Sequence, residues 1–428
     1  MFVTWRAPVL VALGAVAVLL RPQTSTAVAW AGLAAVIVLA DWWLAPRANL
    51  LRITRSKPGH TRPGVPAPTE LTVTSDRKVR GWLRDAWQPS AGARGDRHPL
   101  DVAPGVKREF TTLLVPQRRG DLSAQATTVR SLGPLGLAGR QVSLSIPGRI
   151  RVWPAFPSAR VLPSRLARLR ELDGRTAVRT RGQGTEFDSL REYVRGDDVR
   201  SIDWRATARS PRAVVRTWRP ERDRRVVLVL DSGRTSAGRI GDIPRLDAQM
   251  DAAMLLAALA QRAGDRVDVV AGDRAVRLVL RGGHDRDGFN QLQDALAPIH
   301  PRLVETQWAR LIAAVERLGR QRGLVVLLTP VEPSAILDGL LPLLGPLVRR
   351  HRIVIASVRD AQINELARTR DSVTEVYAAA AAERTLQQRL DTVRMLATLG
   401  VTVLDADADT LPAQLADHYL ALKARGLL

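Results

Sequence analysis

Cysteine is absent from the 428-residue chain, lysine occurs only at Lys57, Lys78, Lys107 and Lys423, and histidine and aromatic side chains are scarce, at 6 residues and 4%. Without cysteine there is no disulfide scaffold, no thiolate metal site and no thiol nucleophile, although the compartment stays open. No two histidines stand at His-x-x-x-His spacing, which argues against an imidazole-built zinc site. A phosphate-binding loop of the Gly-x-x-x-x-Gly-Lys type and a nucleophile elbow of the Gly-x-Ser-x-Gly type are also missing. No ATP site and no catalytic residue can therefore be assigned, and the sequence reads as a non-enzymatic protein.

What is present is the mix of a folded chain, 46% hydrophobic and 25% charged, long enough for two or three domains. The net charge is +22 and almost wholly arginine. The arginines are spread along the chain among Asp and Glu, a distribution that suits an anionic membrane surface better than a nucleic-acid arm. Nucleic-acid binding remains a minority reading.

Two apolar stretches, 3–20 and 27–44, open the chain around the polar turn Arg21-Pro22-Gln23-Thr24-Ser25-Thr26. Each is just long enough to cross a hydrocarbon core. Arg6 stands near one end, and Asp41 with Trp42 and Trp43 stands near the other, as at an interface. A cleaved signal peptide ending at Ala27-Val28-Ala29 is the alternative, but Arg21-Pro22 and the following apolar run favour a retained hairpin over residues 1–46. Arg47, Arg52, Arg55, Lys57 and Arg62 follow the second stretch, so the positive-inside rule predicts a multi-pass membrane protein with a cytoplasmic C-terminal region.

Residues 50–155 alternate in short runs (70–74, 79–83, 108–115, 126–132, 141–146) separated by Gly and Pro, which predicts an antiparallel, immunoglobulin-like sandwich. From 226 to 428 the texture is α/β. The apolar run 226–230 predicts a strand covered on both faces, and further strands are expected at 266–270, 276–280, 324–328, 353–358 and 401–404. Helices are expected at 246–263, 308–319, 334–349, 378–399 and 412–425. The fold class is thus multi-domain: two transmembrane helices, a β-sandwich, and a C-terminal doubly wound α/β domain whose ligand sites lie at the carboxyl ends of the strands. The stretch 282–285, which includes His284, reads as a solvated loop.

Between these parts, residues 156–225 lead into the α/β domain and carry the most distinctive segment. It runs through Gly182, Gly184, Glu186 and Phe187, then Arg191 and Tyr193. It continues with Gly196, Asp197, Asp198, Arg200, Ile202, Asp203, Trp204, Ala206, Ala208 and Arg209. Asp197, Asp198 and Asp203 alternate with Arg195, Arg200, Arg205 and Arg209. An aspartate is therefore expected to cap an amphipathic helical segment while its neighbours pair with arginines and Phe187 and Trp204 supply packing. The competing reading makes Glu186, Asp197, Asp198 and Asp203 a metal or acid/base cluster of a metal-dependent hydrolase. A partner-docking surface is compatible with the first reading.

This segment resembles the signature of the bacterial membrane-protein family known as domain of unknown function fifty-eight, G-x-G-x-E-F, R-x-Y and G-D-D-x-R-x-I-D-W-x-A-x-A-R. The resemblance implies two N-terminal spans, a β-rich segment and a von Willebrand factor A-like domain. It also implies partnership with a MoxR-type AAA+ ATPase in protein assembly or remodelling at the membrane. In von Willebrand A domains an Asp-x-Ser-x-Ser loop after the first strand holds Mg²⁺. Here the loop is Asp231-Ser232-Gly233-Arg234-Thr235-Ser236, with Gly233 and Thr235 at the two serine positions. The carboxylate usual after the fourth strand is missing, since Thr329-Pro330-Val331-Glu332 follows Leu328. A degenerate metal-ion-dependent adhesion site is expected, with Asp231 and Thr235 the weak metal ligands and at most a weakly held Mg²⁺. Asp231, Ser232, Arg234, Thr235 and Ser236 are the candidate partner-binding residues, Arg234 standing where the metal charge would be.

Overall fold

The computed structural model describes residues 1–47, 51–57, 59–179, 186–195, 197–219, 224–282, 287–319 and 321–428. The chain is a multi-domain, mixed α/β protein with several sheets, divided into two units, Met1–Trp153 and Pro154–Leu428.

The first unit begins with an antiparallel pair of apolar helices, α1 (Arg6–Leu20) and α2 (Thr24–Leu44). By length and composition α2 is able to cross a membrane, whereas α1 is apolar but shorter. The Trp30 indole donates to the Leu10 carbonyl (3.2 Å) and ties the two helices together.

Two sheets follow. The larger has the order β1 (Phe2–Val3), β10 (Ala138–Leu144), β9 (Gly120–Leu132), β11 (Arg149–Val152), β3 (His60–Thr61). In addition β5 (Val79–Trp87) pairs with β9, and β7 (Arg97–Val102) pairs with β5. The smaller sheet has the order β2 (Leu51–Arg55), β4 (Ala67–Ser75), β8 (Arg108–Leu114), β6 (Ala93–Arg94). Alternation along β4 and β5 sends Leu71 and Val73 from one sheet and Val79 and Leu83 from the other into one core, completed by Leu100 and Val129. A buried bidentate pair, Arg55 with Asp85 (2.6 and 2.8 Å), lies beside it, and the Trp87 indole also donates to Asp85 (3.1 Å).

In the second unit, α3 (Leu162–Arg179) was not foreseen, because its arginine-rich sequence hides a thin apolar stripe that includes the buried Leu169. The signature folds as an antiparallel hairpin, β12 (Glu186–Glu192) with β13 (Val214–Arg219), and the single turn α4 (Trp204–Thr207) lies between its strands. The six-stranded sheet has the order β18 (Val276–Leu280), β17 (Arg266–Gly272), β14 (Arg225–Asp231), β19 (Leu324–Leu328), β20 (Arg352–Val358), β21 (Thr402–Ala406), all parallel except the β18 edge. A two-residue ladder, β15 (Arg239–Ile240) with β16 (Ile243–Pro244), precedes α5 (Arg245–Arg262). The other helices are α6 (Gly288–Leu296), α7 (Trp308–Leu318), α8 (Leu341–Arg350), α9 (Ala361–Leu366), α10 (Val373–Thr398) and α11 (Leu411–Ala424).

The continuous apolar run of β14 has its reason here. Val226, Leu228 and Leu230 pack with α5 and α11 on one face, and Val227 and Val229 pack with α7 and α8 on the other. Because the chain leaves β14 for β17 on one side and later returns to β19 on the other, the carboxyl end of β14 is the switch point of the sheet. Ligand sites of doubly wound folds form at such points. Asp231 is its last residue.

Candidate functional site

Asp231 is 1% exposed, and both of its carboxylate oxygens are occupied. Oδ1 accepts the Gly233 N–H (2.8 Å) and the Thr306 hydroxyl (2.5 Å), while Oδ2 accepts the Thr329 (2.8 Å) and Thr235 (3.1 Å) hydroxyls. Burial raises its carboxyl above the ordinary value, and the four donors oppose that shift without cancelling it.

Thr306 did not stand out in the sequence. It sits in the segment before α7, which is laced to the 231–235 loop by Arg302 N–H to Ser232 C=O (2.8 Å) and Arg234 N–H to Val304 C=O (2.9 Å). The only clue available was that a chain entering α7 must pass the switch point.

Thr306 also explains why a glycine stands at 233. A Cβ at Gly233 would lie 2.1 Å from Thr306 Oγ1, so the hydroxyl missing from position 233 is replaced in space by one from residue 306. Thr329, just after β19, likewise supplies a hydroxyl. The donor set is therefore one carboxylate and three hydroxyls. Hard cations accept such oxygens, but a single negative charge among them holds a divalent ion weakly.

The five loop residues do not act as one surface. Ser232 is fully buried and donates to Asp273 (3.2 Å), itself paired with Arg277 (2.6 Å). Ser236 is also fully buried, and its hydroxyl finds no partner among the described residues. Asp231, Arg234 and Thr235 line a cleft of about 320 Å³ together with Glu305, Thr306, Trp308, Ser334, Ala335, Asp338 and Gly339. Arg234 is roughly half exposed and bridges to Glu305 (2.8 Å) across the mouth. Ser232 and Ser236 thus support the loop from below, and Arg234 with Thr235 faces the opening.

In the signature, each aspartate caps a turn. Asp197 accepts the Val194 N–H (2.9 Å), Asp198 the Arg200 N–H (3.0 Å), and Asp203 the Arg205 and Ala206 N–H groups (both 3.0 Å). Asp197 also pairs with Arg191 (2.6 Å) and Asp203 with Arg216 (2.7 Å). The Arg191 hydrogen bond chiefly lowers the Asp197 carboxyl, and the Ala206 N–H followed by Arg216 lowers that of Asp203, while Asp197 raises Arg191.

Two expectations need correction. The ion pairs run to Arg191 of β12 and Arg216 of β13 instead of to the interleaved Arg195, Arg200, Arg205 and Arg209, because the connecting segment folds back on the two strands, closing a turn at Val194–Asp197 and bridging Ile202 to Val215. The helix after the caps is one turn long, and Trp204 is 68% exposed instead of packed. Ile202 bridges to Val215, the Tyr193 N–H donates to Ala213 C=O (2.7 Å), and Ala206, Ala208 and Arg209 belong to or follow the single turn. Glu186 and Phe187 stand in β12. Gly182, Gly184 and Gly196, like His284, lie outside the described residues.

The chain is 27% identical over 196 residues to uncharacterized proteins of Mycobacterium tuberculosis (strain ATCC 25618 / H37Rv) and Mycobacterium bovis (strain ATCC BAA-935 / AF2122/97). That alignment covers 45% of this chain and 61% of each relative, so the chain spans about three-fifths of the length of the curated relatives it matches. Among solved structures, the conserved hypothetical protein BatB from Bacteroides thetaiotaomicron is similar with a TM-score of 0.27 at 11% identity, over 46% of this chain and 98% of its own. A PapD-like domain of human CEP192 is similar with a TM-score of 0.20 at 13% identity, over 26% of this chain and 89% of its own. Residues 189–395, from the signature hairpin through most of the α/β sheet, match the family described as Protein of unknown function DUF58.

Proposed function

We propose that this protein is a membrane-anchored adaptor whose α/β unit presents the Asp231 cleft to another protein, with a MoxR-type AAA+ ATPase as the partner that the family resemblance supplies. In this reading α1 and α2 form a two-span anchor, the β unit is an immunoglobulin-like spacer, and the α/β unit is a von Willebrand A-like receptor domain. The basic residues after α2 keep that domain in the cytoplasm.

The observation that carries the reading is the mouth of the cleft. A carboxylate fully engaged by neutral donors lies at the floor, and a half-exposed Arg234 stands above it, held among the described residues by a surface pair to Glu305. A surface pair of this kind is worth about 1 kcal/mol or less and yields readily to an incoming acidic side chain. Arg234 then meets the partner carboxylate, a part that a divalent ion plays in a complete adhesion site, and Asp231 with Thr235, Thr306 and Thr329 holds at most a weakly bound Mg²⁺ beneath it.

A metal-dependent hydrolase built on the Gly-Asp-Asp segment has less support. Asp197, Asp198 and Asp203 direct their oxygens to backbone N–H groups and arginines, and no three carboxylates or imidazoles converge among the described residues.

Co-purification from solubilised native membranes tests the adaptor. Wild type should retain an AAA+ ATPase, and Arg234→Glu should lose most of it while staying folded. Equal recovery with both proteins, or none with either, refutes the reading.

A further inference from the structure

The β9–β10 turn, residues 133–137, is bound to the base of the helix pair by a buried carboxylate. Asp41 lies in the last turn of α2, three residues before its end, and is 1% exposed. Its Oδ1 accepts the Leu135 N–H (2.7 Å), and its Oδ2 accepts the Leu137 (2.7 Å) and Ala138 (2.9 Å) N–H groups. A charged group in an apolar helix is expensive unless paired, and here three backbone donors satisfy it.

The fit is close. A Cβ at Gly133 would lie 2.2 Å from the Asp41 carbonyl oxygen, so only glycine allows the approach. From the other side, Thr4 donates through its N–H to Leu137 C=O (2.9 Å) and through its hydroxyl to Gly136 C=O (2.6 Å). Phe2 and Val3 extend the sheet along β10. Arg140 donates to the Trp43 carbonyl (3.2 Å) and stacks over Trp42. Nothing in the apolar helices required these contacts.

The depth follows from helix geometry. At 1.5 Å per residue Asp41 lies roughly 4.5 Å inside the end of α2. If that end is at the bilayer surface, the amides that Asp41 holds are at the level of the headgroups and upper acyl chains. Leu135, at the tip, is 58% exposed, and Trp5 and Trp43, beside the Thr4 and Asp41 anchors, are 74% and 72% exposed. Tryptophan concentrates at that level, and an apolar tip flanked by the guanidinium groups of Arg6 and Arg140 fits a phospholipid surface.

We infer that the 133–137 turn is a third membrane-contacting element, clamped by Asp41 so that Leu135 enters the headgroup layer and the β unit is held in a fixed pose on the bilayer. This inference rests on the membrane reading of α2 but goes beyond it, because a simple tether would leave the β unit free.

The lack of cysteine makes the test direct. The full chain, carrying one introduced cysteine labelled with an environment-sensitive fluorophore, is reconstituted in vesicles containing nitroxide-labelled phospholipid. Three positions are compared: Leu13→Cys within α1, Leu135→Cys at the turn, and Gln117→Cys, which is exposed just before the far end of β9 and roughly 40 Å along that strand from the turn. Quenching at 135 should approach that at 13 and exceed that at 117 roughly threefold or more. Asp41→Asn, or Gly133→Val acting from the opposite side, should bring the 135 signal down to that of 117 while the signal at 13 persists. Strong quenching at 13 with 135 no better than 117 overturns the inference alone. Quenching at 135 that survives both substitutions overturns the clamp. Absence of quenching at 13 overturns the membrane reading together with it.

Discussion

Replacing Gly233 by serine adds a hydroxyl beside Asp231, yet it should destabilise the α/β unit. The backbone at 233 is in an ordinary extended conformation, so strain is not the reason. The reason is space. The new Cβ would meet Thr306 Oγ1 at 2.1 Å and the Val304 carbonyl oxygen at 3.0 Å, whereas ordinary contact begins near 3.4 Å. Either the 302–307 segment shifts by more than an ångström, an overpacking that costs about 1–3 kcal/mol, or Thr306 rotates away and gives up its bond to the Asp231 carboxylate, which costs about 1.5–3 kcal/mol. Thr306→Ala alone removes that bond and should cost a similar amount. In the double variant the severe clash with Thr306 is gone, the 3.0 Å approach to the Val304 carbonyl needs only a small shift, and the serine hydroxyl can take the vacated place on Asp231. The two losses should then fall short of additivity by about 1–2 kcal/mol. Hydrogen exchange of the β14 amides in the solubilised chain measures all three variants locally. Losses that add to within about 0.5 kcal/mol would show that residues 233 and 306 do not compete for one position.

Asp85→Ala leaves the Arg55 guanidinium buried without its carboxylate and should cost the β unit about 3–5 kcal/mol, read from hydrogen exchange of the β5 and β9 amides. Asp101→Ala at the exposed Arg80 pair (3.8 Å) should cost about 1 kcal/mol or less. Burial raises the folded carboxyl of Asp231, so the stability it contributes is fully present below its unfolded value and lost as pH rises through the folded one. Compared with Asp231→Asn, wild type should therefore gain stability as pH falls from neutral toward the ordinary carboxylate range, and a gap that stays constant would refute this. His351 is shifted in the opposite sense. Burial, aided by Arg350 and Arg225, lowers its imidazole, and both ring nitrogens lack partners among the described residues. Its contribution is present above the ordinary histidine value and lost as pH falls through the lowered one, a dependence that thermal unfolding of His351→Leu should lack.

The sheet of the α/β unit was legible because its strands are buried on both faces, so that the apolar runs at 226–230 and 324–328 mark them directly. Helix α5 was legible for the complementary reason, an apolar repeat that ends at Gly264. The β unit showed itself through period-two alternation, as in β4 and β5. Helix α3 was not legible, since Arg165, Arg168 and Arg170 surround its buried Leu169. The expected helix at 334–349 is divided, because Pro342 and Pro346 remove amide donors and a wide turn at Ala335–Leu340 precedes α8.

At the candidate site, Asp231 and its loop followed from their place after the first strand. Thr306 and Thr329 could not, because a threonine in a connecting segment has no pattern of its own until the fold brings it to the carboxylate. Asp41 is a similar case. Its charge at the end of an apolar run read as an interfacial residue, whereas the donors it serves come from a turn ninety residues further along.

The central claim is that the Asp231 cleft receives a protein partner at the membrane. Photo-crosslinking in intact membranes, with a photoreactive side chain introduced at Arg234 and, as a control, at the exposed Thr111 of β8, addresses it most directly. The account predicts that the probe at 234 captures an AAA+ ATPase and that the probe at 111 does not. A probe at 234 that captures no protein, or the same proteins as the control, would contradict it.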